Sequence, residues 1–144
     1  MGLFSSLIGI LIGAYIAITA IGDGYEWFPL YAGFAAFLTS CLLWRIFIER
    51  KKSYRIVVGI FVGALSGFLS HYVCWYLQIA IANFRYLVFG TGLSSLGEPP
   101  MNLLLGISGA LGLSYWSWIF FGWLTVAAGG IIGGGFCWYL SKEI

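Results

Sequence analysis

Between Arg55 and Arg85 the sequence holds no Asp, Glu, Lys or Arg, and inside that stretch stands its single histidine, His71. It closes a row spaced four residues apart, Gly59, Gly63, Gly67 and His71, with Gln78 two turns further along. A four-residue step returns to nearly the same face of a helix, so one stripe would carry three glycines, an imidazole and an amide. Imidazole can relay protons, act as a base or ligate a metal. It can also join helices by bonding a hydroxyl or carbonyl at a depth where water is absent. That second role needs only a partner, and Ser66, Ser70, Thr39, Ser40 and Thr125 are candidates. We therefore expect His71 to be helix glue rather than a proton relay, with Gln78 as a second hydrogen-bonding group.

Other chemistries lack their parts. Ser66 and Ser70 share a helix with His71, but a hydroxyl beside an imidazole is no triad without a third, orienting group. Asp23 is the only aspartate and lies outside the apolar runs, so the paired aspartates of intramembrane proteolysis are missing. Cys41, Cys74 and Cys137 fall in three different runs with no Cys-x-x-Cys. They read as small apolar filler, not as a thiol oxidase or, with one histidine, a zinc site. Clusters of His, Asp and Arg for phosphate handling are absent. The glycine-rich run 129–135 lacks the Lys-Ser/Thr that follows a nucleotide loop, and it sits in an apolar stretch. We expect no catalytic residue, cofactor or metal.

The elements that position these residues follow from composition. The 144 residues are 61% hydrophobic and 8% charged, with a mean hydropathy of +0.97. So few charges cannot hydrate a folded surface, which makes lipid the solvent. The formal charge of +2 is too small to suggest nucleic acid. Four runs are long and apolar enough to cross a bilayer, at about 3–21, 28–48, 56–83 and 116–140. The first closes at Gly22-Asp23-Gly24 and has no cationic residues ahead of it, as a cleaved signal peptide would need. Met1-Gly2 with Ser6 fits a myristoylation pattern too short to carry weight. Pro29 sits in the first turn of the second run, where its missing N–H matters least. The third run exceeds an ordinary span and predicts tilt or protrusion.

Segment 84–115 is interrupted by Gly90, Gly92, Gly97 and Pro99-Pro100, then turns apolar again over 101–113. That length predicts a re-entrant or interfacial helix in a long outer loop, acting as a lid or a partner surface. The expected fold is thus all-α, a single-domain bundle of four transmembrane helices. Arg50, Lys51, Lys52 and Arg55, flanked by Arg45 and matched by Lys142, place the second loop and both termini in the cytoplasm. Asp23, Glu26 and Glu98 fall on the other side, with Arg85 as its one cation. Tyr25, Trp27, Tyr31, Tyr115, Trp116 and Trp118 would gather at the outer interface, and Trp44, Trp138 and Tyr139 at the inner one.

Lipid removes the hydrophobic drive between helices, so small residues must let backbones meet. Gly9 and Gly13 do so in the first run, Gly59, Gly63 and Gly67 in the third, and Gly129, Gly130, Gly133, Gly134 and Gly135 in the fourth. We expect these faces to pack within one chain in preference to a homodimer. The second run offers Ala32, Ala35, Ala36, Thr39 and Ser40. Residues 9–14 are weakly echoed by 59–64. Coupled transport is disfavoured, because the four-helix multidrug transporters rely on an acid in their first span and none stands there. No motif points to a family. By architecture alone the chain resembles small four-span bacterial proteins such as toxin-immunity proteins, phage exclusion factors and accessory subunits. That resemblance implies a non-enzymatic inner-membrane protein whose partners are lipid and another membrane protein, or a second copy of itself. The alternative is a homo-oligomeric channel or uncoupled carrier built around Ser, Thr and His71.

Overall fold

The computed structural model describes residues 1–19, 25–91 and 97–142. Every regular element among them is helical, and four helices are long and apolar enough to cross a membrane: α1 (Gly2–Thr19), α2 (Phe28–Glu49), α3 (Ile56–Phe89) and α4 (Leu103–Leu140). The expected Gly22-Asp23-Gly24 turn, Ile21 and Gly92 lie outside the described residues. Pro29 stands in the first turn of α2. Gly90 ends α3 with φ +64, a left-handed conformation that glycine adopts without strain. Asn102 caps α4 by accepting the Leu105 N–H at 2.8 Å.

Two expected boundaries are corrected. The third helix runs six residues past 83, to Phe89, because nothing before Gly90 interrupts it. The separate helix expected over 101–113 is instead the opening of α4, which continues from Leu103 to Leu140 as one 38-residue helix. Continuity is possible because the breakers Pro99 and Pro100 both precede Asn102, and no proline follows. At about 1.5 Å per residue α3 and α4 extend roughly 50–57 Å, against about 27–33 Å for α1 and α2. Phe28, at the start of α2, packs on Trp75 with ring centroids 5.6 Å apart. Beyond that level α3 and α4 continue as a two-helix hairpin for about 20 Å. Ile79 lies against Gly106, and Asn83 donates to the Met101 carbonyl at 2.7 Å.

Small and polar residues fill the interior, and large apolar ones cover the outside. The largest fully enclosed side chains are Ile48, Val62, Cys137, Ser40 and Ser114, while Leu3, Leu11, Ile18, Val57 and Ile131 are exposed. A helical body with an oily exterior requires an apolar surround, as a multi-pass membrane protein has. Cys74 and Cys137 are buried as small filler, whereas Cys41 is exposed. At the end carrying Arg45 to Arg55, Gly2 lies beside Cys41, and Gly59 beside Cys137. Lys142 caps the Trp138 ring there at 3.7 Å, and Lys51 lies over Phe47 at 5.3 Å.

Candidate functional site

Two helix pairs make the body. In the first, Gly9 meets Ala32 and Ala36, and Gly13 meets Pro29 and Ala32, so α1 lies directly on the backbone of α2. In the second, α3 and α4 touch backbone to backbone. A Cβ at Gly59 would collide with the Gly133 carbonyl, one at Gly63 with the Gly129 carbonyl, and one at Gly67 with the Thr125 carbonyl. The faces of Gly59, Gly63, Gly67, Gly129 and Gly133 are therefore filled by one another inside this chain. Residues 9–14 and their echo at 59–64 occupy equivalent places, each as the first helix of a pair.

His71 stands at the upper end of the second seam. Its Nε2 is 2.8 Å from Thr125 Oγ1 and its Nδ1 is 2.6 Å from Ser117 Oγ. Thr125 donates its own hydrogen to the Gly122 carbonyl at 3.0 Å, so it accepts from Nε2–H, and Nδ1 accepts from Ser117. Both partners lie on α4, eight residues apart. In a regular α-helix that spacing turns them about 80° away from each other. Between them, Trp118–Gly122 winds as a π turn. The extra residue makes eight positions behave as seven, which brings both hydroxyls to within about 20° of one face. Trp118 anchors the turn to α3 by stacking on Phe68 at 4.1 Å and donating to the Phe68 carbonyl at 3.0 Å.

A hydroxyl cluster joins the two pairs lower down. Ser66 Oγ lies 2.7 Å from Ser40 Oγ and 3.2 Å from Thr39 Oγ1, and Thr39 donates to the Ala35 carbonyl at 2.8 Å. Between cluster and imidazole lies a cavity of about 60 Å³ whose polar wall includes Ser40, Ser66, Ser70, His71, Ser117 and Thr125. On its α1 side it meets Ile8, Ile12, Ile16 and Ser5. No known protein family, curated protein or solved structure matches the chain. Its function must come from this geometry.

Of the residues singled out by sequence, the seam glycines and His71 come together and Gln78 does not join them. The Gln78 amide nitrogen is shielded and has no hydrogen-bond partner among the described residues. Arg50, Lys51, Lys52 and Arg55 sit at the opposite end of the body, in and after the turn that follows α2. Ser117 and Ser5 were missed. Ser117 reaches His71 only through the π turn, which no spacing rule reveals, and nothing in the sequence separates Ser5 from its neighbour Ser6. Among the described residues no three His, Cys, Asp or Glu side chains gather where they could hold a metal.

Proposed function

We propose that this is a non-enzymatic, multi-pass protein of a bacterial inner membrane that works by binding another integral membrane protein, as an accessory subunit or an immunity- or exclusion-type factor. The observation that supports this is the hairpin of α3 and α4 that overshoots α1 and α2. Leu87 is 79% exposed, Phe89 67%, Leu104 82% and Leu105 59%. These apolar side chains lie beyond the reach of α1 and α2, where a partner's helices could cover them. The glycine faces are used internally, so the docking surface is this hairpin, where partner helices would cover the leucines. Leu87→Lys combined with Leu104→Lys should abolish co-purification of the partner in mild detergent while leaving the four-helix body monodisperse. Recovery of an equal amount of partner would end the proposal.

The orientation we propose puts both termini and the Arg50-Lys51-Lys52 turn in the cytoplasm, since cations accumulate on that side. Reporters inserted at Lys52 and at Lys142 should then show the same cytoplasmic activity, and one at Gly90 the opposite. A second reading, a channel or uncoupled carrier, draws on the convergence of Ser, Thr and His71 on one interior cavity. Conductance by the purified chain alone in a planar bilayer would favour it.

A further inference from the structure

We propose that the interior cavity is a lateral binding site for the uncharged hydroxyl head of a single-chain amphiphile, whose tail leaves between α1 and α4 into the surrounding lipid. The inference is independent of the partner-binding role. It begins with Ser5, a residue of the cavity wall that is 9% exposed and whose buried Oγ has no hydrogen-bond partner among the described residues. An unsatisfied hydroxyl in an apolar place is destabilising, so a ligand that bonds it is favoured.

Size and polarity then narrow the class. A water-sized group needs about 10–15 Å³ of such volume, so the cavity holds roughly four to six of them, a head and not a whole drug-sized molecule. Among the described residues no Asp, Glu, Lys or Arg lines it, and a charge brought there would stay unpaired. The walls are two-sided. Ser40, Ser70 and Ser117 keep oxygen lone pairs on one side, whereas α1 presents Ile8 and Ile12 on the other. A head that both donates and accepts, attached to an alkyl chain, matches this pattern.

Access comes from the side. Helix α1 packs along α2 and makes sparse contact with α4. Two aromatic pairs bracket the space between them: Phe4 with Phe136 at 5.5 Å below, and Tyr15 with Phe121 at 6.4 Å above. Between these pairs Ile8 and Ile12 face Gly129 and Ile132 across the cavity.

The test uses the whole protein in nanodiscs and a diazirine-bearing octanol as photoprobe, with adducts mapped by mass spectrometry. Adducts should concentrate on Ile8, Ile12 and Ile132, and 1-decanol should compete for them where decane and decanoate do not. Ser5→Ala should weaken decanol competition about three- to tenfold, the worth of one hydrogen bond. Ile12→Trp, which fills the cavity from the α1 wall, should remove the interior adducts and leave those on outward-facing Leu3 and Leu11. Adducts spread evenly over Leu3, Leu7 and Leu11 would overturn the proposal, as would decane or decanoate competing as well as decanol. Unchanged competition in Ser5→Ala would do so too.

Discussion

Gly63→Ala is expected to loosen the bundle by about 1–3 kcal/mol, although it adds a single methyl group and improves helix propensity. The added Cβ would meet the carbonyl of Gly129 closer than any real Cβ approaches an oxygen, and the obstacle is backbone, which cannot rotate aside. The helices must separate, and separation is felt along the whole seam from Gly59 to Gly67 because dispersion falls steeply with distance. Gly63→Leu should prevent assembly of the α3–α4 pair altogether. Gly135→Ala supplies the control, since a Cβ there meets nothing within 4 Å. It should be neutral or stabilising by up to about 1 kcal/mol, the ordinary gain from replacing a helical glycine. Reversible unfolding in mixed detergent micelles, followed by tryptophan fluorescence, would give both values. Equal stability of Gly63→Ala and Gly135→Ala would show that the seam is not backbone-close.

That opposite outcome for two glycines on paired helices marks how far the residues alone can be read. Four long apolar helices follow from run length, because lipid demands continuous apolar segments with every backbone group paired. The seam was legible for a related reason: glycines at four-residue steps have little purpose on a lipid-facing surface. Which glycines meet which was not, and Gly135, beside Gly134, is open while its neighbours are not. The extent of α4 escaped because Gly106, Gly109 and Gly112 weaken a helix signal without breaking a helix. In the structure Gly106 lies against Ile79 and Gly109 against Met101, so both are close-approach positions in the hairpin and not turns. Thr125 was foreseeable as a partner of His71, standing four residues before Gly129. Ser117 was not, because the π turn shifts its face by a whole residue. Interior polar groups are thus read from sequence only where the helix carrying them stays regular.

His71→Ala should cost about 2–4 kcal/mol, combining two lost hydrogen bonds with the space left by the ring. The upper end of the α3–α4 seam depends on it, since the imidazole spans from Ser117 to Thr125 across the π turn. His71→Gln tests whether bonding or titration matters. A glutamine amide offers an N–H toward Thr125 Oγ1 and a carbonyl toward Ser117 Oγ, the same donor and acceptor order as the ring, so most of the stability should remain. His71→Leu keeps volume but no bonds and should fall between the two. Pairing His71→Leu with Ser117→Ala in a double-mutant cycle should give a coupling of about 0.6–1.7 kcal/mol, the span seen for hydrogen bonds between membrane helices. A coupling near zero would mean that the short Ser117 contact contributes nothing. If Gln instead kept the fold and lost function as completely as Ala, the ring would be carrying protons, because an amide reproduces its hydrogen bonds but cannot exchange a proton at either atom.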